Sequence, residues 1–377
     1  MERTKTRNSN LELYRILCML LIVAHHFAVH GFAESELTYC LNKYVVDLFA
    51  SGGKIGVDGF ILISGYFMVN SQYNFKKFLK LEGEVWFYSV GIILLFLTVL
   101  HPTSPFGIGS MIKAAFPLIF NEYWFVTSFV VLMLFSPVLN HIAHTVRKQT
   151  YQMLLGIIFV CAGILPVFLN VYYMTDKITW FVFLYLLAGY VRLYCPAPQK
   201  RNGQKHFMVA VFFYLLLAAS SIACNWAGAQ FGSEKLLQKS RYFMLESSPL
   251  VFIVSFELFM GFLRMKEFKN KTINMIAGAA FGVYLIHDNK FMRGYLWDTI
   301  FQCKEHYQSS FLPLYGCMAV LLIYIVCTCV ELIRQRTVEK IWMRFVQDHA
   351  DQIEQKACRI MQRIGCFCKK IGEKYYG

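Results

Sequence analysis

The sequence predicts an all-α, polytopic membrane protein with about ten transmembrane helices, both termini in the cytoplasm and a basic, amphipathic cytoplasmic tail. Composition is the first reason, because 57% of the 377 residues are hydrophobic and only 16% are charged, against about 25% charged in soluble domains. The second reason is that apolar stretches of about 20 residues recur along the chain. The third is the distribution of Lys and Arg, which favours alternate connecting segments and places those segments inside.

Ten apolar spans account for most of the chain. The first follows a basic N-terminal segment but is long and lacks a small-residue cleavage site, so we expect a retained span and not a signal peptide. Residues 1–333 then form one ten-span membrane domain, and residues 334–377 form the tail. We place the spans over 10–32, 55–71, 82–100, 122–140, 152–170, 178–194, 207–226, 243–263, 273–288 and 311–333.

The tail repeats apolar residues at helical spacing between Lys and Arg. This pattern suits a helix on the inner leaflet, and equally a helix packed against the inner face of the bundle. The net charge of +14 fits cytoplasmic loops and anionic lipid, so we predict no nucleic-acid partner. Two Cys-x-Cys pairs lack a second pair at zinc-site spacing, and we predict no metal. The apolar tail positions are Trp342, Phe345, His349, Ile353, Ile360, Ile364 and Phe367.

Ionisable residues inside the first span are its most informative feature. Each costs roughly 2.5–3.5 kcal/mol in the hydrocarbon region, so their presence favours a functional role. Arg15 and His26 are separated by about three helical turns, or roughly 16 Å, and return to nearly the same helix face. Glu12 stands three residues before Arg15, a spacing that allows an ion pair.

The predicted topology sorts other polar residues into two groups. The outer group suits proton abstraction from a hydroxyl, and the basic inner group suits a phosphorylated cytosolic donor. Other interpretations stay open: the lysines as topology determinants, Asp58 as the cap of a helix beginning at about Gly59, His287 as a half-solvated interfacial residue, and His26 as a structural imidazole. The outer group is His26, Asp58, Glu122, Trp124 and His287, and the inner group is Glu12, Arg15, Lys76, Lys77 and Lys80.

Four segments carry a resemblance to a known family. The first span has an acidic residue followed by Arg-x10-His, and three later motifs follow in order. Together they resemble membrane acyltransferase family 3 over nearly the whole chain except the tail. The segments are 10–26, 56–66 (GVDGFILISGY), 123–140 (from YWFVTS to LFSPVLN) and 281–289 (FGVYLIHDN).

The resemblance implies transfer of an acyl group, usually acetyl, from cytosolic acyl-CoA to a sugar hydroxyl of a surface polysaccharide or lipid-linked glycan. It marks Arg15 and His26 as an essential pair, assigns Asp58 with Ser64 to the second-span site, and includes His287 in the late motif. One departure is Lys77-Phe-Leu-Lys80, where many members have Arg-x-x-Arg. Lysine holds phosphate as a point charge and lacks the bidentate fork of arginine.

We therefore expect an O-acyltransferase, most simply an O-acetyltransferase, of a bacterial cytoplasmic membrane. His26 acts as general base or carries the acyl group as an acyl-imidazole, and Asp58 is the candidate to orient an imidazole. A transporter or flippase of glycans that makes no acyl bond is the alternative, as is an inactive partner of a glycan-assembly complex. The expected donor-binding residues are Arg15, Lys77 and Lys80, and the expected acceptor-binding residues are Ser64, Trp124 and His287.

Overall fold

A computed structural model describes residues 8–32, 40–100, 107–169, 171, 172, 174, 176–195, 203–349, 352 and 359. These residues are largely helical, and no strand occurs among them. The helices are α1 (Asn10–Gly31), α2 (Leu41–Met68), α3 (Phe75–Leu95), α4 (Ile108–Ala115), α5 (Trp124–Thr145), α6 (Lys148–Phe159), α7 (Leu165–Leu169), α8 (Lys177–Tyr194), α9 (Gln204–Gln230), α10 (Glu234–Gln238), α11 (Pro249–Arg264), α12 (Lys271–Gly278), α13 (Ala280–His287), α14 (Lys290–Gly294), α15 (Leu312–Arg336) and α16 (338–349).

Seven segments of the described chain are long and apolar enough to cross a membrane. The remaining three predicted spans fall on α2, α8 and the α12–α13 pair. The all-helical, multi-pass prediction is therefore confirmed, whereas the count of ten and the orientation stay predictions. The seven segments are Asn10–Gly31, Phe75–Leu100, Trp124–Thr145, Lys148–Leu169, Gln204–Gln230, Glu234–Arg264 and Leu312–Arg336.

Helix α2 begins 14 residues earlier than the predicted start at 55. Its first half carries Lys43 and Asp47, and these charged residues made the segment look too polar to be part of a membrane span. Both side chains are buried in a polar cluster that gives each of them a partner. The Asp47 carboxylate lies 3.3 Å from the Lys43 ammonium and accepts hydrogen bonds from Asn225 and Arg241 at 2.7 and 2.8 Å. Asp58 consequently lies inside α2, so its interpretation as a helix cap near Gly59 is wrong.

The predicted span 273–288 is two short helices and not one. Helix α12 ends at Gly278 and α13 starts at Ala280, with Ala279 between them. At Gly282 of α13, the Glu331 side chain of α15 packs so closely that a Cβ would lie 2.5 Å from it. The break gives α13 its own N-terminus, at Ala280, and α13 ends at His287.

Glycines of α2 bring it against α1, the neighbour with which α1 packs most extensively. A Cβ at Gly53 would lie 2.2 Å from His25, and one at Gly56 would lie 2.4 Å from the backbone oxygen of Cys18. Small residues allow such close backbone approach between membrane helices. They hold the α1 face that carries Cys18 and His25 directly against α2.

The Gly56→Ala variant should unfold at a lower temperature than wild type. The added methyl group meets a backbone oxygen that cannot rotate away, and such overpacking typically costs about 1–3 kcal/mol. Thermal unfolding in detergent micelles measures the change. Gly91→Ala is the matched control, because Gly91 is also helical but has no atom within 4 Å of its would-be Cβ. Equal melting temperatures for both variants would contradict this packing.

The start of the tail packs against α3. Trp342 of α16 donates a hydrogen bond from Nε1 to the Leu79 carbonyl at 2.9 Å, and Glu339 pairs with Lys80 at 2.5 Å. These contacts favour a helix packed on the bundle for 338–349. The predicted apolar positions Ile353, Ile360, Ile364 and Phe367 lie outside the described residues.

Candidate active site

Two histidines from distant parts of the chain meet at the centre of the site. His26 is on α1 and His287 is the last residue of α13, and the His26 Nδ1 and His287 Nε2 atoms are 2.9 Å apart. His287 is fully buried and His26 is 8% exposed. The interpretation of His287 as a half-solvated interfacial residue is therefore wrong. The contact joins two of the residues singled out from the sequence.

The hydrogen-bond network selects one tautomer of each ring. The Nδ1 atom of His287 lies 2.5 Å from the carbonyl oxygen of Val283, one turn earlier, so it must carry a proton. Neutral His287 then has a lone pair on Nε2, which accepts from His26 Nδ1–H. His26 consequently keeps its Nε2 lone pair, and no described residue donates to that atom. This is the protonation state that a general base requires.

Asp288 supplies negative charge beside the pair. Its Oδ1 atom lies 3.5 Å from His26 Nδ1 and 3.5 Å from His30 Nε2, and it accepts a hydrogen bond from Arg293 at 2.8 Å. A carboxylate next to Nδ1 favours the same His26 tautomer as His287 does. It also stabilises the imidazolium that forms when Nε2 takes a proton.

His26, His30 and Asp288 also bring potential metal-ligand atoms within 4.8 Å of one another. A cation at this position has to compete with the guanidinium of Arg293, which already binds the same carboxylate oxygen. Nothing in this geometry tests the prediction of a metal-free site, which stays a prediction.

A small cavity of about 70 Å³ opens beside His26. Its lining combines the imidazole with the indole of Trp124 and the ammonium-bearing side chain of Lys54. The rest of the wall is apolar or aromatic. We call this the His26 cavity; it is lined by Met19, Ile22, His25, His26, Gly53, Lys54, Val57, Phe60, Trp124, Phe125, Phe281 and Tyr284.

A second cavity of about 280 Å³ gathers the predicted donor-binding residues. Lys77, Lys80 and Glu84 lie on one face of α3, as their spacing of three and four residues requires. Arg15 comes from α1, where it pairs with Glu12 at 2.9 Å and so confirms the allowed ion pair. We call this the Arg15 cavity; it is lined by Arg15, Phe60, Ser64, Lys77, Lys80, Leu81, Glu84, Phe125, Phe129, Ala277, Gly278 and Phe281.

Three phenylalanines belong to both walls. Phe60 of α2, Phe125 of α5 and Phe281 of α13 line the His26 cavity and the Arg15 cavity alike. The two cavities therefore adjoin, with an aromatic constriction between them. A group that moves from the basic cavity to the imidazole has to pass these rings.

Two predicted site residues, Asp58 and His287, line neither cavity, and His287 contacts His26 instead. Asp58 is fully buried, and its Oδ1 accepts a hydrogen bond from Trp180 Nε1 at 3.1 Å. The carboxylate nearest His26 belongs to Asp288 instead. Ser64 lies in the Arg15 cavity, at the donor end and not the acceptor end, and its hydroxyl donates to the Phe60 carbonyl at 2.8 Å.

Sequence reasoning did not assign roles to Asp288, Arg293 or the three phenylalanines. A signal for Asp288 existed, since it directly follows His287 in the late motif. Phe281, Tyr284 and Asp288 also recur at helical spacing, which predicts one face. No sequence signal pairs Phe60 with Phe125, because only the tertiary fold brings the two ring centroids to 6.3 Å from each other.

The fold and the site together define a multi-pass membrane protein with a buried histidine pair beside a basic cavity. A family model described as an acyltransferase domain matches residues 8–339. The chain therefore belongs to acyltransferase family 3, which confirms the resemblance of the four motifs. It is accordingly a membrane acyltransferase. No curated protein and no solved structure matches the chain.

Proposed function

We propose that this protein transfers an acyl group, most simply acetyl, from cytosolic acyl-CoA to a sugar hydroxyl of a surface polysaccharide or lipid-linked glycan. One observation carries the proposal: His26, whose Nε2 accepts no hydrogen bond from a described residue, lines a cavity that adjoins the basic Arg15 cavity. A base for the acceptor and cations for the donor thus stand on the two sides of one constriction.

The reaction follows from the tautomer of His26. Nε2 takes the proton of the sugar hydroxyl while the hydroxyl oxygen attacks the thioester carbonyl carbon. The carbon–sulfur bond breaks, and the departing CoA thiolate receives the proton from Nε2. Asp288 and the lone pair of His287 stabilise the intervening imidazolium through Nδ1. An acyl-imidazole route would use the same Nε2 atom as nucleophile.

The Arg15 cavity is the proposed donor site. Arg15, Lys77 and Lys80 place three cationic side chains on its wall. Two of them have carboxylate partners, Glu12 for Arg15 and Glu339 for Lys80, while Glu84 on the same wall pairs with Arg334. Phosphate groups of CoA would be attracted to such a concentration of positive charge. The acyl thioester would then reach His26 past Phe60, Phe125 and Phe281.

The positive-inside pattern of Lys and Arg supports an orientation with the Arg15 cavity toward the cytoplasm of a bacterial cell. Acyl-CoA is made in the cytosol, so this orientation gives the donor direct access. The His26 cavity would then face the opposite side, where a surface glycan or its lipid-linked precursor is available. The acceptor would stack on Trp124, which lines that cavity.

Incubation of the purified protein with labelled acetyl-CoA tests the proposal. We expect binding of CoA and slow hydrolysis or transfer of the label. Binding without any turnover, or no binding at all, would remove the enzymatic function and leave transport of a glycan as the better interpretation. Empty detergent micelles and heat-denatured protein are the controls.

Lys77→Ala combined with Lys80→Ala should raise the KM for acetyl-CoA by about tenfold or more, because each charge-assisted contact to phosphate is worth about 1.5–3 kcal/mol. The turnover number should change much less. Steady-state kinetics of acetyl transfer separate the two parameters. Lys76→Ala is the matched control, since Lys76 neighbours the pair but does not line the cavity. An unchanged KM in the double variant would contradict this donor site.

A further inference from the structure

Two lysines lie over the indole ring of Trp124 beside the His26 cavity; Lys54 and Trp124 line that cavity, and Lys177 does not. The Lys54 ammonium lies 4.7 Å and the Lys177 ammonium 3.8 Å from the centroid of the indole ring. Lys54 comes from α2 and Lys177 begins α8, so two separate helices bring their charges to one aromatic side chain. The two ammonium groups can be no farther apart than the sum of these distances.

The charges of this group do not balance. Glu246 Oε2 lies 3.3 Å from Lys54 Nζ and forms an ion pair with it. No carboxylate among the described residues forms an ion pair with Lys177. Two like charges held this close repel each other unless an anion lies between them. The neighbouring cations at this end have their own acids: Lys290 pairs with Glu122 at 2.6 Å and Arg293 with Asp288 at 2.8 Å. Asp58, one turn from Lys54 on α2, accepts a hydrogen bond from Trp180 and forms no ion pair with either lysine among the described residues. Lys177 is therefore the lysine beside Trp124 that has no carboxylate in ion-pair contact within the described part of the chain.

We infer that the acceptor is an acidic sugar, a pyranose ring with one carboxylate, held by Trp124, Lys54 and Lys177. This inference rests on the proposed acyl transfer to a sugar and specifies its acceptor. The indole supplies apolar contact for the ring where the ammonium groups do not cover it, and the ammonium groups supply the partner for one negative charge. A single excess charge matches a carboxylate better than a phosphate, which carries about −1.5 to −2 at neutral pH.

Glu246 holds Lys54 in place and does not line the His26 cavity. Its Oε2 atom lies 3.3 Å from Lys54, and its Oε1 atom is buried with no hydrogen-bond partner among the described residues. We therefore assign the ligand contacts to Trp124 and the two lysines.

Protection of lysines from chemical acylation tests the inference without any acyl-CoA. The protein in lipid nanodiscs is treated with an N-hydroxysuccinimide acetate reagent in the presence of methyl glycosides, and modified lysines are quantified by mass spectrometry. The acidic probes are methyl glucuronide, methyl galacturonide and the methyl glycoside of N-acetylneuraminic acid; the neutral probes are methyl glucoside and methyl galactoside. Lys290 is the internal reference, because it lies at the same end but does not contact Trp124.

We expect at least one acidic glycoside to protect Lys54 and Lys177 at about tenfold lower concentration than its neutral counterpart, with Lys290 unaffected. Lys177→Gln should abolish this preference by balancing the charge, and Lys177→Arg should retain it. Equal protection by acidic and neutral probes, protection by none, or stronger protection by glucose 6-phosphate would each overturn the inference. Failure of the acyl-transfer proposal would appear separately, as absent turnover of labelled acetyl-CoA.

Discussion

Replacing His26 with alanine should lower the rate of acetyl transfer by about 10²- to 10⁴-fold, the usual contribution of a positioned general base. The reason is that His26 Nε2 is the unprotonated ring nitrogen beside the acceptor cavity, whereas His287 donates its own Nδ1 proton to the Val283 carbonyl. Water cannot easily replace the imidazole, because the side chain is buried. Transfer of label from acetyl-CoA at saturating donor concentration measures the loss.

The variant should still insert and fold. His26 lines a cavity, so truncation enlarges a space that already exists and leaves the glycine packing of α1 on α2 in place. His141→Ala is the matched control, since His141 is an exposed histidine on α5 far along the helix from Trp124. Full activity of the His26→Ala variant would show that the base is another group.

Replacing His287 with phenylalanine should lower the turnover number by about 100-fold while leaving the KM for acetyl-CoA nearly unchanged. Phenylalanine fills the space but cannot accept the Nδ1 proton of His26, so the ring loses the partner that selects its tautomer and orientation. The effect should be smaller than that of His26→Ala, because Asp288 still lies 3.5 Å from Nδ1. His287 is in this sense a positioning residue.

His287→Gln distinguishes positioning from a purely structural role. The glutamine amide oxygen can accept the hydrogen bond from His26, so this variant should recover much of the turnover that His287→Phe loses. A structural role predicts that both variants lose folded protein together, which thermal unfolding in detergent would reveal. Equal turnover in the two variants, with both folded, would contradict the tautomer argument.

The two histidines explain why ionisable residues persist in this bundle. Burial of a polar ring without a partner is expensive, and here every ring nitrogen that faces the protein interior has one: Val283 for His287, and His287 for His26. Of the ring nitrogens of these two histidines, Nε2 of His26 is the one without a partner among the described residues, and it is left for a substrate. The arrangement supplies one reactive lone pair at low cost to stability.

Several features of the fold and site were predictable from local sequence. Hydropathy located the helical spans, because burying apolar side chains and satisfying the backbone inside a membrane leave few alternatives to helices. The spacing of Arg15 and His26, and of Lys77 and Lys80, predicted shared faces because the helical period is fixed. The two lysines and Arg15 do meet, in the Arg15 cavity.

Other features depended on which helices pack together. The early start of α2 was not predicted, because Lys43 and Asp47 are unfavourable residues for a membrane span when the sequence is read alone. In the fold, Arg241 and Asn225 bind Asp47, and Lys43 pairs with it. Asp58 appeared to be the partner of an imidazole, but packing brings Trp180 to it and Asp288 to His26. Which carboxylate lies near His26 depends on contacts between residues more than 200 positions apart in the chain, and no local sequence pattern encodes such contacts.

Hydropathy, helical periodicity and ordered motifs are local properties, and together they predict a helical membrane acyltransferase with a histidine candidate for its base. The packing of the helices, by contrast, places His26 against His287, brings the Asp288 carboxylate beside them, and sets three phenylalanines between the Arg15 cavity and the His26 cavity. Those relations join α1, α2, α5 and α13, and they exist only after the helices have packed.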